Sequence, residues 1–140
     1  MFPALDISSS AMTAQRIRMD AISGNIANVS TTRNEKGEPA PYQPRFVIFA
    51  TDDSIPDADG GVGVRVQSVE TAQVEPRYKF QPGHPDAIKQ GPHQGYVAYP
   101  NIDITTEMVD ALEASRSYEA NVGVMEMTKG MIQQALRIVA

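Results

Sequence analysis

The chain has 140 residues, 41% of them hydrophobic, 21% charged and 6% aromatic, which suits one folded domain but is thin in the large rings that dominate compact cores. Twelve Lys and Arg stand against seventeen Asp and Glu, a formal charge of -5 with no basic cluster to neutralise phosphates, so a nucleic-acid partner is not expected. The absence of cysteine excludes thiolate metal sites, disulfides and cysteine catalysis, and leaves the compartment open.

The first residues carry no basic n-region and reach Asp6 before any useful apolar run, so no cleaved secretory signal is expected. The most apolar stretch, near the C-terminus, is broken by Lys129, Gln133, Gln134 and Arg137, which argues against a membrane span. Nine of the ten prolines and seven of the ten glycines fall in residues 37–100, so the middle cannot be a long helix while both ends can. Three parts follow: an N-terminal helix in 1–32, a β-rich middle in 33–100 and a C-terminal helix in 101–140.

In the first part, heptad spacing gives a seam of Leu5, Ser8, Met12, Gln15, Met19, Ile22, Ile26 and Val29. Beside it runs a mostly small stripe, Ala4, Ile7, Ala11, Ala14, Arg18, Ala21, Asn25 and Asn28, where another helix could approach closely. Asn25, Asn28 and Ser30 mark the helix end, on the expectation that Asn adopts a left-handed closing conformation.

In the middle, residues 44–50 and 62–74 are rich in β-branched side chains and read as strands, with shorter runs at 77–80 and 96–99 expected to pair with them. Asp52, Asp53, Asp57 and Asp59 with Gly60 and Gly61 read as a loop between strands. Seven of the nine aromatic residues lie in this region, enough for one small β core.

The last part opens on Asp103, placed to cap the amides of Thr105 or Thr106, with Glu107 and Asp110 in the dipole-favoured first turns. Its seam reads Ile104, Met108, Ala111, Ser115, Tyr118, Val122, Met125, Lys129, Ile132, Leu136 and Val139. A second apolar line, Ala120, Val124, Met127, Met131 and Ile138, makes the final third apolar on more than one side, and such a helix is buried on several faces. Two helices of this kind are marginal alone, so neighbouring subunits are expected to complete their burial. Gly24, Gly123 and Gly130 each weaken a helix by up to about 1 kcal/mol; close approach between subunits and simple tolerance both account for them.

The stretch from Ser23 through Asn25, Ile26, Ala27 and Asn28 to Thr31 and Thr32 resembles the N-terminal signature of bacterial flagellar rod and hook proteins. Pro100-Asn101-Ile102-Asp103, then Glu107-Met108-Val109, then Ser115-Arg116-Ser117-Tyr118-Glu119-Ala120-Asn121-Val122 resembles the flagellar basal-body rod proteins of that family, and the short length is similar to the proximal-rod members. The departures are Gly24 where Ser is commoner, Gly123 where a larger residue is commoner, and a proline-rich, charged segment at 33–41.

The resemblance implies an α+β subunit, with long terminal helices paired antiparallel around a small β-rich middle, that polymerises into the tubular driveshaft of the flagellum. It implies no enzyme activity, cofactor, metal or small-molecule substrate. The implied partners are copies of itself, other flagellar rod proteins, the inner-membrane ring and the hook-basal-body adaptor protein. The implied location is the rod in the periplasmic space, reached by flagellar type III export without a cleaved signal peptide. The residues expected to assemble are Leu5, Met12, Met19, Ile22, Asn25, Ile26 and Asn28 on the first helix, and Met108, Leu112, Arg116, Tyr118, Asn121, Val122, Met125, Ile132 and Leu136 on the last.

Other chemistry is weaker. His84 and His93, nine residues apart with Asp86 between them, match no ligand spacing and read as solvated loop residues. Asp57-Ala58-Asp59-Gly60-Gly61 lacks the closing glutamate of a calcium loop, and Gly60-Gly61-Val62-Gly63 is too short for a phosphate cradle. Tyr118 and Arg116 are the residue types favoured in interface hot spots, and Met12, Met19, Met108, Met125, Met127 and Met131 all fall on the helices, where their flexibility suits uneven partner surfaces. The alternatives are a soluble ligand-binding or hydrolytic module using Asp57, Asp59, His84 or His93, and a coiled-coil adaptor.

Overall fold

The structure, a computed structural model, describes residues 3–56 and 60–139. Its elements in chain order are α1 (Pro3–Ala27), β1 (Arg45–Pro56), β2 (Val62–Thr71), β3 (Arg77–Phe80), β4 (Tyr96–Tyr99) and α2 (Ile104–Val139). The fold is α+β, with α1 at its centre: α2 packs along it and the β1–β2 hairpin packs on it.

Both helices start where the sequence supplies a terminus. Pro3 opens α1, where its missing N–H is not needed, and Asp6 lies in the first turn. Asp103 caps α2: its Oδ1 accepts the Thr105 amide at 3.0 Å and its Oδ2 the Thr106 hydroxyl at 3.1 Å. Those bonds hold the Asp103 carboxyl below the usual range. The end of α1 differs from expectation, because among the described residues only glycines adopt positive φ. Asn28 closes the helix through its side chain instead. Its amide group donates to the Gly24 carbonyl at 2.9 Å and its Oδ1 accepts the Thr31 hydroxyl at 3.0 Å.

The helices run antiparallel, with Arg18 of α1 facing Asp110 (3.8 Å) and Glu113 (3.5 Å) of α2, and Asn25 facing Glu107 (3.2 Å). Small side chains line the contact: Ala14 is 2% exposed and Ala114 fully buried. The covered face of α2 repeats at heptad spacing through Glu107, Ala111, Ala114, Tyr118, Asn121, Met125, Thr128 and Ile132. Ala111, Tyr118, Met125 and Ile132 belong to the expected seam. Ile104, Met108, Lys129, Leu136 and Val139 do not join it and are exposed. The face is rotated because α1 offers alanine, serine and asparagine, against which small and polar residues of α2 pack more closely than its bulky stripe.

β1 and β2 pair antiparallel from Arg45↔Thr71 to Pro56↔Val62, with Gln67 as the extra residue of a bulge beside Ile48 and Phe49. Asp52 and Asp53 lie in β1, not in the connecting loop, while Asp57 and Asp59 lie outside the described residues. The hairpin is pinned at both ends of α1. Near the helix start, the Ser10 hydroxyl accepts the Val64 amide at 3.0 Å, and a Cβ on Gly63 would stand 3.2 Å from that hydroxyl and 3.1 Å from Ile55 Cδ1, so only glycine allows the approach. Near the helix end, Asn25 holds Arg45.

β3 and β4 pair with each other, Arg77↔Tyr99 to Phe80↔Tyr96, and form a second ribbon that does not extend the first sheet. The single β core expected from the aromatics is therefore absent among the described residues, and Phe46, Tyr78 and Phe80 are exposed. The ribbon instead rests on Val97, Pro100 and Ile102, all buried, with the Arg77 guanidinium donating to the Ile102 carbonyl at 3.1 Å. Gly95, at φ 81°, passes so near the Phe80 ring that a Cβ there would lie 2.8 Å from it.

Candidate assembly interface

Asn25 is the junction of three elements. Only 2% exposed, it donates to the Arg45 carbonyl at 2.8 Å, accepts the Arg45 amide at 2.8 Å and also donates to the Glu107 carboxylate. Tyr42 adds a hydroxyl donor at 3.3 Å. An asparagine serves here because one side-chain amide satisfies both the N–H and the C=O of the residue that begins β1. Glu107 is raised above its ordinary value by burial, partly offset by the Asn25 hydrogen bond.

A second junction ties the β3–β4 ribbon to the loop after α1. Asp86, 8% exposed, accepts Arg33 Nε at 2.7 Å, forms an ion pair with the same guanidinium through Nη2 at 2.6 Å, and accepts the Thr32 hydroxyl at 2.8 Å. These hydrogen bonds, that of Arg33 first, hold the Asp86 carboxyl below the usual range. His84 accepts the Asp86 amide at 3.1 Å, and His93 stacks on Tyr78 with ring centroids 4.0 Å apart. Both histidines thus have local structural contacts. Among the described residues there is no cluster of three or more His, Cys, Asp or Glu placed to hold a metal, and no helix long and apolar enough to cross a membrane.

The expected assembly residues divide by face. On α1, Ile22 and Asn25 are buried within the subunit, while Leu5, Met12, Met19, Ile26 and Asn28 are half-buried. On α2, Tyr118, Asn121, Val122, Met125 and Ile132 are half-buried, and Asn121 bonds back to the Ser117 carbonyl at 2.8 Å. Met108, Leu112, Arg116 and Leu136 stand in solvent. Val109 joins them, as do Met127, Met131, Ile138 and Val139, with Ile138 84% and Val139 86% exposed.

The pairing of Asn25 with Glu107 and of Arg18 with Glu113 places Pro3 opposite the region of residue 128. The last eleven residues of α2, 129–139, therefore project past the described start of α1 by roughly 16 Å at 1.5 Å per residue. Gly123 and Gly130 face open space and Gly24 faces the Tyr42 hydroxyl at 3.8 Å, so none of the three is required by helix contact within the subunit.

Sequence reasoning missed both junctions. Asn25 and Glu107 were each visible, one in the N-terminal signature and one beside the C-terminal one, but their meeting is a tertiary fact. The Arg33–Asp86 pair spans 53 residues with no local signal.

Such long apolar stripes on an extended helix belong to a chain that is covered by neighbours. Comparison with known proteins agrees. Residues 5–33 match the family described as "Flagella basal body rod protein", and residues 93–138 the family described as "Flagellar basal body rod FlgEFG protein C-terminal". The chain is 43% identical to the flagellar basal-body rod protein FlgC of Borreliella burgdorferi, over 99% of this chain and 97% of that protein. It is 40% identical to FlgC of Bacillus subtilis, over 98% and 97%, and 36% identical to FlgC of Salmonella typhimurium, over 95% and 93%. Signature, helix pair and relatives converge on one assignment: the chain belongs to the FlgC family of flagellar basal-body rod proteins, structural and non-enzymatic.

Proposed function

We propose that this subunit builds the rod by burying the free face and free end of α2 against neighbouring subunits. The helix pair of residues 1–32 and 101–140 makes the tube wall, with residues 33–100 contacting neighbours further out. The carrying observation is the exposure of Met108, Val109, Leu112, Met127, Met131, Leu136, Ile138 and Val139 on a helix whose last eleven residues outrun α1. At about 25 cal/mol per Å2 of apolar surface, covering such a stripe is the largest favourable term available to this chain on assembly. Met side chains fit partners of differing shape, which suits a subunit bounded by other rod proteins above and below.

The same reading places the rod in the periplasmic space against the inner-membrane ring, with the hook-basal-body adaptor protein as a further contact and type III export as the route. The resemblance of the terminal signatures supports it. As a tubular driveshaft the assembly carries motor torque and lines the export channel.

Replacing Ile132 with Asp puts a charge into the wall. The expected outcome is loss of rod assembly and of motility with the β-rich middle still folded, and Leu136→Asp, at an exposed position, is expected to do the same. Normal swimming by both variants would sink the reading.

A further inference from the structure

The molecule is electrically polar along α1. At the helix start, Asp6, Ser9, Ser10, Ser54 and Ile55 share one depression, and the tip of β1 beside it carries Asp52 and Asp53. Asp52 is held below the usual carboxylate range by hydrogen bonds from Ser54 and stays charged. At the helix end a cleft of about 670 Å3 opens between the loop after α1, β3 and the start of α2. Arg77, Lys79 and His84 line it together with Tyr78 and Tyr99, and no carboxylate does.

Among the described residues, Arg77, Lys79, Asp6, Asp52 and Asp53 make no ion pair within 4 Å; Arg77 donates to the Ile102 carbonyl and Asp52 accepts from Ser54, while Lys79 and Asp53 carry charge that no close partner neutralises. Every residue of β3 is exposed, and its outer edge carries no partner strand. The charges on Arg77 and Lys79 protect that edge from indiscriminate pairing and restrict it to an acidic partner.

We propose that the acidic stretch of β1 with Asp52 and Asp53 in one copy docks into the basic, tyrosine-lined cleft beside β3 of a second copy, a join along the helix direction separate from the α2 wall contact. The second copy is the occupant favoured because the complementary charge lies on the same chain, with Asp52 and Asp53 for Arg77 and Lys79. The two surfaces sit at opposite ends of α1, about 32 Å apart from Asp6 to Ala27 at 1.5 Å per residue. In a rod whose copies all point the same way, the acidic end of one meets the basic end of the next, so the contact is heterologous and adds copies along the helix direction without closing on a pair. The join rests on the rod reading above and deepens it, since it assigns the middle region the placing of copies relative to one another.

The test uses cells whose rods are built from variant chains. The natural chain has no cysteine, so Asp53→Cys with Lys79→Cys in one chain offers a single cross-link. Oxidation of isolated basal bodies is expected to give linked multimers of this chain, with none from either single variant. Charge reversal supplies a second arm: Asp53→Lys or Lys79→Glu alone is expected to lower the rod yield at least about fivefold, and the two together to restore it, because reversed charges still attract.

Cross-linking to a different rod protein, no cross-link in motile cells, or failure of the double reversal to recover while circular dichroism shows a native fold would each overturn the join. Motile cells in any of those cases leave the rod reading standing, which Ile132→Asp tests separately.

Discussion

Two polar side chains hold elements that hydrophobic burial alone would leave loose. Asn25 satisfies the N–H and C=O of Arg45 while reaching Glu107. Asn25→Ala leaves those backbone groups without partners and should lower unfolding stability by about 2–4 kcal/mol, read by denaturant melts of the purified chain. Asp86 gives a pH-dependent prediction. Its folded pKa lies below the unfolded one, so its stabilisation is complete above the ordinary carboxylate range and is lost as pH falls through the lowered value. Arg33→Ala removes the largest cause of that shift. The variant should melt below the wild type near neutrality, and the gap should narrow as pH falls to about 2. A gap that stays constant across that range would show that the pair does not hold the ribbon.

At the scale of elements, α2 is one continuous helix with two unequal parts. Residues up to about 128 lie on α1 through Ala114, Tyr118 and Asn121, whereas residues 129–139 have solvent on nearly every side. Helices this long gain most of their stability from tertiary packing rather than from propensity. Hydrogen exchange on the monomer should therefore show amides 131–139 opening first and amides 111–125 protected, with both protected in assembled rods. Slow exchange at the free end of the monomer would mean that this end is stable without neighbours. The hairpin behaves differently, since Ser10 and Asn25 clamp it at both ends and Gly63 lets it lie against α1.

For the whole molecule, the division between what was legible early and what was not follows the range of the interactions. Helix extents, the Asp103 cap, the location of the strands and the terminal signatures depend on neighbours within a few residues and were readable from the chain, whereas the extension of β1 through Asp52 and Asp53 to Pro56 rests on its pairing with β2 and was not. The proline and glycine distribution correctly confined the β structure to the middle. The partner of each strand was not readable, because a run such as Arg77–Phe80 carries no mark of whether it extends an existing sheet or pairs with Tyr96–Tyr99 in a sheet of its own. Heptad spacing likewise revealed apolar lines on α2 but not which line faces α1. The burial of Ala14 and Ala114 in the contact between the helices decided that, turning Met108, Leu112 and Leu136 outward.

Taken alone, the sequence determined the class of molecule: two long terminal helices, a β-rich middle and the flagellar rod signature. Tertiary structure decided which apolar surface is spent inside the subunit and which is left for others. That choice depends on how closely two backbones approach, and close approach favours small residues over large ones. The bulky stripe of α2 stays free for this reason, and the junctions at Asn25 and Asp86 exist because residues far apart in the chain were brought within hydrogen-bond distance only by folding.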